Sequence, residues 1–532
     1  MLVEKSAKMV HVLLVPIHLQ GHLNGMLRLA RYLAAQEGML VTFVYPHRSY
    51  HLALNRNRRQ AALSTKDVCS AAATIPIFSS KSLHIQVVED GLPLDKDPDL
   101  ASFAASISII RRGVQLLLDD LMGQSSSRLS SADEQDYCFL SWPPPCCIIG
   151  DTFVPWVQDI ADAAHIPRVD FWTSSAAVYS MGSRIELLHS SGILPLPKSC
   201  WVDQETKWTA RAPEIDGAPG LPPFPVTELP VEFIRPESGS QPEFQFMLKA
   251  FSRVREAHAI LIHTLYELER PVIEGLCAAG FPVYAVGPLP EGLSLTGTSV
   301  STTMAADDCL RWLDAQSTSS VIYVALGTIV KVSLTEIHAL ALGLEASKRP
   351  FLWVLMPDQS QSLVDALPSG FLERTVDQGS ALIVPWAPQT QVLAHAAVGA
   401  FFSHCGWNST LESMLEGVPM VACPRAAEQR SNAKWITKIW KIGVAMEIKE
   451  DGSFTKEAVE IALREVFSQD GSVCYRKQAQ HFKQLTRRAF EKEGSSRANM
   501  DDFLRMLNQL NALNSRTSLT RQSALNNGKS RC

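Results

Sequence analysis

The feature that most constrains this chain is an alternation of short apolar runs with amphipathic helical segments, and it occurs twice. Residues 10–17 read as a β-branched, Leu-rich strand. A helical pattern follows, with Leu23, Met26, Leu27, Ala30, Leu33 and Ala34 on one face, and a second strand at residues 40–45. The rhythm returns as a strand at 147–150, a helix at 155–164 and a strand at 168–171. A second series runs from a strand at 321–326 through a helix at 334–346 to strands at 351–355, 381–384, 399–403 and 420–423. Short strands buried on both faces and separated by helices predict parallel sheets covered on both sides. A chain of 532 residues exceeds one core, so the two series predict two similar α/β halves. Open parallel sheets bind ligands at the carboxyl ends of their strands. Two such sheets facing each other would place the chemistry in a cleft between the halves.

The expected organisation is an N-terminal domain over residues 9–287, a linker over 288–303 and a second domain over 304–490. A C-terminal helix over 491–512 is expected to pack back toward the first domain, with a disordered tail at 513–532. Low order is also expected in the Ser-rich residues 124–136 and the Pro-rich residues 213–225. A formal net charge of −5 offers no clustered basic surface and argues against nucleic acid as the main partner. Eleven cysteines without a Cys-x-x-Cys pair fit reduced thiols in the cytoplasm better than a disulfide framework. The apolar run at 10–19 leads into Gln20-Gly21-His22 rather than a small-residue cleavage site. No apolar stretch approaches the roughly 18 or more residues of a membrane span, so a soluble monomer is expected.

The residues from Trp386 to Gln429 carry the strongest chemical signal: WAPQTQVLAHAAVGAFFSHCGWNSTLESMLEGVPMVACPRAAEQ. Phe401 and Phe402 end a strand, His404-Cys405-Gly406-Trp407 turns, and a helix follows that closes at Gly417 with Pro419 beyond. A strand leading through a glycine turn into a helix N-terminus presents free backbone N–H groups and a positive dipole end, a site suited to a diphosphate. A second reading of the same spacing is structural: Ser409 and Glu412 stand as a capping box opening the helix. His404 and Cys405 have no second ligand pair at zinc spacing. Two further residues stand where strand ends are expected, His22 at the start of the first helix and Asp151 after residues 147–150. A helix N-terminus disfavours imidazolium, leaving a ring able to accept a proton. Asp151 could instead cap the helix near Pro155, and His18 is a rival to His22.

The Trp386–Gln429 segment resembles the signature box of plant secondary-product glycosyltransferases, the family 1 UDP-sugar transferases, and the likeness extends more weakly over most of the chain. The resemblance implies the GT-B fold, two Rossmann-like parallel-sheet domains facing across a cleft. It implies that Trp386 stacks on uracil, while Ala387 and Gln389 hold its edge and the ribose. It implies that Glu412 binds the ribose hydroxyls, that His404, Asn408, Ser409 and Thr328 hold the phosphates, and that Trp407, Glu428 and Gln429 contact the sugar, with Gln429 and Trp407 pointing to glucose. His22 would be the general base, Asp151 its partner, and Thr173 a contact to the sugar's primary hydroxyl. The implied reaction is inverting transfer of glucose from UDP-glucose to a hydroxyl of a small apolar acceptor, with no metal and no other cofactor. Three departures stand out: Gly25 where proline is usual, Ala426 where an aromatic is common, and Ala325 where serine is frequent. Trp142, Phe153, Trp156, Phe171 and Trp172 could line an acceptor site or be core.

Two other classes compete with a transferase. A nucleotide-sugar epimerase would not need the His22–Asp151 pair. A silent UDP-sugar-binding protein would be expected to lack His22, Asp151 or Glu412, and all are present. A nicotinamide-dinucleotide enzyme is disfavoured because no Gly-x-Gly-x-x-Gly follows the first strand, and a P-loop nucleotidase lacks its motif.

Overall fold

The computed structural model describes residues 9–54, 81–94, 100–123, 142–196, 213–234, 242–289, 304–327, 332–355, 363–449 and 452–529. Strands β1 (Val10–Val15), β2 (Met39–Pro46), β3 (Leu83–Val88), β4 (Cys147–Asp151) and β5 (Arg168–Trp172) come first, then the short β6 (Glu214–Ile215) and β7 (Phe224–Pro225). They are followed by β8 (Ala259–Ile262), β9 (Val283–Ala285), β10 (Val321–Ala325), β11 (Phe351–Val354), β12 (Ala381–Val384), β13 (Val398–Ser403), β14 (Met420–Ala422) and β15 (Gly443–Ala445). The helices used below are α1 (Gln20–Ala34), α2 (Val157–Ala164), α3 (Leu334–Ala346), α4 (Trp407–Glu416), α5 (Gln429–Lys434) and α6 (Ser495–Lys529).

The chain divides into two compact units. Unit 1 is Met1–Thr173, Leu248–Ser301 and Lys492–Cys532, and unit 2 is Ser174–Met247 and Thr302–Glu491. Unit 1 holds a seven-stranded sheet in the order β3-β2-β1-β4-β5-β8-β9, and unit 2 a six-stranded sheet in the order β12-β11-β10-β13-β14-β15. Every pairing in both sheets is parallel. Each sheet therefore reverses its winding once, between β1 and β4 in unit 1 and between β10 and β13 in unit 2. That reversal splays the connecting segments apart and opens a crevice at the carboxyl ends of the two strands. The two parallel-sheet α/β units are those of the GT-B class.

The strands are buried on both faces because helices cover both. All six residues of β1 are buried, as are all six of β13. Helix α1 turns Leu23, Met26, Ala30, Leu33 and Ala34 inward as the periodicity predicts, whereas Leu27 is only half-buried and Leu29 takes a core place. The core of unit 2 joins Ile337, Leu340, Ala341 and Leu344 of α3 to Ile322 and Val324 of β10 and Phe402 of β13.

The expectation of low order at residues 213–225 is corrected. The Pro-rich residues 213–225 form the antiparallel pair β6–β7, with Glu214 opposite Pro225 and Ile215 opposite Phe224. The pair tolerates Pro225 because N–H groups alternate along a strand: the Val226 N–H turns inward to the Pro213 carbonyl at 3.0 Å, so the Pro225 nitrogen faces away from the partner, where a missing N–H costs no ladder bond. The chain after residue 512 continues as helix α6 to Lys529, through a stretch without proline to stop it. Before that extension, α6 is tied into unit 1 by Ser496 Oγ to the Gly287 carbonyl at 2.6 Å and Asn511 Nδ2 to the Met9 carbonyl at 3.1 Å. The Ser-rich residues 124–136 and residues 290–303 of the expected linker lie outside the described residues.

Two buried histidines in unit 1 make its stability depend on acid. His11 Nδ1–H donates to the Pro143 carbonyl at 2.7 Å while Nε2 accepts from the Thr42 hydroxyl at 2.9 Å. His263 Nε2 accepts from the Leu289 N–H at 3.0 Å. Desolvation, the dominant cause, lowers His11 from 6.5 to about 4 and His263 to about 3. Between those values and about 6.5 the unfolded chain binds protons that the folded unit refuses, so the contribution is complete above 6.5 and is lost as pH falls. The loss is about 1.4 kcal/mol per pH unit for each histidine. The urea midpoint of unit 1 should fall steadily from pH 6.5 to 4.5, with a shallower slope in His11→Asn. An equal slope in that variant would show that His11 is not a contributor.

Candidate active site

The unit 1 site is built at the β1/β4 switch point. Strand β1 pairs with β4 through Val15 opposite Gly150, so the segment leaving β1 and the last residue of β4 emerge side by side. The first delivers His22 in the opening turn of α1, whose N-terminus has no side-chain cap. The second delivers Asp151, fully buried. His22 Nδ1 lies 2.8 Å from Asp151 Oδ2. The other carboxylate oxygen, Oδ1, accepts the Phe153 N–H at 2.9 Å. Asp151 is therefore spent on its own turn and on His22 rather than on capping α2, which starts at Val157 behind Trp156.

The Thr173 hydroxyl oxygen is 2.9 Å from the same His22 nitrogen. A carboxylate can only accept, so Nδ1 carries the hydrogen and Thr173 Oγ1 is a second acceptor in a forked bond. Nε2 then holds the ring's lone pair. This is the tautomer a proton acceptor requires. The Phe153 ring lies 4.9 Å from the His22 ring at 36° and restricts its rotation. Gly25 earns its place here, since a Cβ on it would stand 3.2 Å from the Thr173 methyl.

A buried network supports this end of the sheet and was not legible beforehand. Arg168 pairs with Asp170 at 3.0 Å and donates to Gln158 Oε1 and the Arg253 carbonyl, while the Thr152 hydroxyl donates to Asp170. Each charge is matched, which makes burial affordable. His18 lies outside the His22 constellation. It is 3.4 Å from Ser106 Oγ, and burial lowers it to about 4. Phe171 and Trp172 are 0% and 3% exposed, so those two aromatics are core. Phe153, packed edge-on against Trp172, lies directly against His22.

The unit 2 site occupies the β10/β13 switch point. The capping-box reading of Ser409 and Glu412 does not hold. Helix α4 begins at Trp407 with Gly406 as N-cap and no side-chain cap, and the Thr410 N–H already bonds the Gly406 carbonyl at 2.9 Å. Ser409 and Glu412 thus lie inside the helix, and a glycine N-cap brings no side chain of its own to the N–H groups of the first turn. The helix closes at Gly417 in the left-handed conformation (φ 66°).

His404, just before that N-terminus, lies between two glycines. A Cβ at Gly327 would be 2.8 Å from His404 Nε2 and one at Gly406 2.5 Å. No side chain fits at either position while the ring stays in place. His404 meets the Ala325 carbonyl, and burial lowers it to about 4, so near neutrality it carries no charge and its one N–H faces that carbonyl. Its Nδ1 is buried without a partner. Cys405 follows with φ 66°, and Ala427, beside Glu428, has φ 51°. Non-glycine residues in this region cost about 1–2 kcal/mol each, and both flank candidate ligand residues.

Deeper in the crevice, Gln389 Nε2 donates to Glu412 Oε2 at 2.7 Å and to Ser409 Oγ at 3.0 Å. Gln389 Oε1 accepts from the buried Tyr323 hydroxyl at 3.2 Å. Trp386 is 41% exposed, while Ala387 beside it is buried. Gln429 Oε1 accepts the N–H groups of Arg425 (2.8 Å) and Ala426 (2.9 Å), which leaves its Nε2 to donate elsewhere. Asn432 Nδ2 donates to the Cys405 carbonyl at 3.0 Å and reaches Glu428 Oε1 at 3.5 Å. Trp407 is buried and packs 6.1 Å from Trp440. Asn408 stands in the first turn of α4, and Thr328 lies outside the described residues. Tyr323, Asn432 and the glycine pair around His404 were missed on sequence. Only the pairing of β10 with β13 brings residues so distant in the chain together.

Among the described residues no group of three His, Cys, Asp or Glu side chains could hold a metal; the acidic residues Asp95, Asp97 and Asp99 lie outside them. No helix of the described residues is long and apolar enough to cross a membrane.

Comparison with known proteins shows the family. The family described as UDP-glucoronosyl and UDP-glucosyl transferase matches residues 295–486. The 7-deoxyloganetin glucosyltransferase of Gardenia jasminoides is 31% identical over 510 residues, 93% of this chain and 97% of the relative. UDP-glycosyltransferase 85A2 of Arabidopsis thaliana is 30% identical over 93% of this chain and 97% of its own length. Among solved structures, Os79 from O. sativa in complex with U2F and trichothecene superposes with a TM-score of 0.71 at 26% identity, covering 93% of this chain and all of that one. This chain belongs to the family 1 plant UDP-glycosyltransferases.

Proposed function

We propose that this UDP-glycosyltransferase transfers glucose from UDP-glucose to a hydroxyl of a small apolar acceptor, with inversion and without a metal. The observation that carries the reading is the His22 Nδ1–Asp151 Oδ2 contact of 2.8 Å, which leaves Nε2 as the base. His22 Nε2 takes the acceptor's proton as the acceptor oxygen attacks the anomeric carbon. The bond to the UDP oxygen breaks on the opposite side, so an α-linked donor yields a β-linked product. Asp151 stabilises the imidazolium as it forms, and Thr173 shares the ring's N–H.

On unit 2, Trp386 stacks on uracil, Ala387 and Gln389 hold the base edge and ribose, and Glu412 binds the ribose hydroxyls. The diphosphate lies at the N-terminus of α4 beside His404, Asn408, Ser409 and Thr328. These donors are in place before charge develops on the departing oxygen, which is how they lower the barrier. Glu428 and Gln429 meet the sugar, Gln429 as an amide donor. Trp407 contributes main-chain atoms at the helix N-terminus, since its ring is buried. Glucose is supported by Gln429 and by the glucosyltransferase among the relatives. Cys146, Cys147, Cys405 and Cys423 are buried free thiols, which supports a reducing, cytoplasmic setting; we place the reaction there, in a monomer.

An acceptor screen with UDP-glucose, read by mass spectrometry, tests this. Transfer should persist in EDTA and give β-linked products by NMR coupling constants. UDP binding without transfer to any hydroxylated acceptor would point to a silent binder, and preference for another UDP-sugar would overturn glucose.

A further inference from the structure

We propose that Tyr323 is a positioning residue for the donor nucleotide: its hydroxyl pins the Gln389 amide so that the amide holds the Glu412 carboxylate ready for the ribose. The inference rests on the reading of Glu412 as the ribose ligand.

Tyr323 is well placed for this. It is the third residue of β10, it is 1% exposed, and its ring stacks on Phe401 of β13 with centroids 5.1 Å apart and planes at 18°. Tyr323 and Phe401 are register partners across the switch-point strands, so the phenol is carried by the sheet itself. Burial first, and the nearby Glu412 charge second, raise the phenol far above its ordinary value. It stays protonated and its O–H is always available to donate.

The relay has one consistent direction. Tyr323 O–H donates to Gln389 Oε1, and Gln389 Nε2 sends one hydrogen to Glu412 Oε2 and the other to Ser409 Oγ. Turning the amide over would set Oε1 against the Glu412 carboxylate, acceptor against acceptor. With the amide pinned, Glu412 and Ser409, two faces of the proposed nucleotide site, are held by one side chain without a ligand present. A preformed arrangement spares the nucleotide the ordering cost of binding. The effect should therefore fall on donor affinity rather than on chemistry.

Tyr323→Phe keeps the stacked ring and removes only the donor. It should raise the Kd for UDP by calorimetry, and the KM for the UDP-sugar, about fivefold, which corresponds to about 1 kcal/mol. kcat should stay within about twofold, with the melting temperature nearly unchanged. Gln389→Leu, which breaks the relay from the other side, should weaken UDP at least as much. In a Glu412→Ala background Tyr323→Phe should add no further loss. Unchanged UDP affinity in Tyr323→Phe or Gln389→Leu would overturn the proposal, as would a fivefold loss persisting without Glu412, which would mark a packing effect. If Glu412→Ala alone leaves UDP affinity intact, the reading of the ribose site fails first and the proposal falls with it.

Discussion

Replacing His22 by alanine is expected to abolish sugar transfer while leaving UDP affinity within about twofold of the parent. A positioned general base is worth roughly 10²–10⁴ in rate, and the deletion also removes the imidazolium that Asp151 stabilises. The expected fall in kcat is therefore at the upper end of that range or below detection. UDP should bind normally because its proposed ligands all belong to unit 2: the segment from Trp386 to Gln389, His404, α4 and Thr328. Stability should change little, since His22 is partly exposed at a helix start (side-chain exposure 18%). Single-turnover rates beside calorimetric UDP titration decide the matter. Near-parental turnover in His22→Ala would remove it as the base, whereas lost turnover with lost UDP affinity would point to a wider collapse of the fold.

Glu412→Ala is expected to weaken UDP and UDP-sugar binding by roughly 10- to 100-fold, since hydrogen bonds to a charged group contribute about 1.5–3 kcal/mol. Its effect on folding should be much smaller. Glu412 lies inside α4 and accepts from Gln389; it does not cap the helix. Had it been half of a capping box, removing it would have cost helix stability of about 1 kcal/mol and left affinity intact. Calorimetry and thermal melting on the same preparation separate the two cases. A marked drop in melting temperature with unchanged UDP affinity would restore the capping role and remove Glu412 from the nucleotide site.

Much of the fold was legible because its elements are local. The helix at 334–346 and the strand at 381–384 coincide with the observed elements residue for residue. A buried parallel strand is a short apolar run, and an amphipathic helix repeats every 3.6 residues, so both patterns are written within a dozen positions. The start of α4 was misplaced by the same local logic. Ser409 and Glu412 have capping-box spacing, but Gly406 takes the extended conformation of an N-cap three residues earlier, and nothing in the spacing distinguishes the two. The proline-rich 213–225 read as loop by composition, yet its ends meet as a two-stranded pair.

By itself the sequence determined the two α/β series, the Trp386–Gln429 box and the identity of the residues able to do chemistry. Only the tertiary structure decided which of them meet. His22 and Asp151 are 129 positions apart, and Tyr323 and Gln389 are 66 apart. No periodic pattern spans such distances. They meet because β1 lies beside β4, and β10 beside β13, at the points where each sheet reverses its winding. Strand order also buried Phe171 and Trp172 while leaving Phe153 against His22, a choice made by neighbouring elements rather than by the aromatic residues themselves. It is strand adjacency, a long-range property set by burying whole sheets, that turns a set of suitable residues into a site.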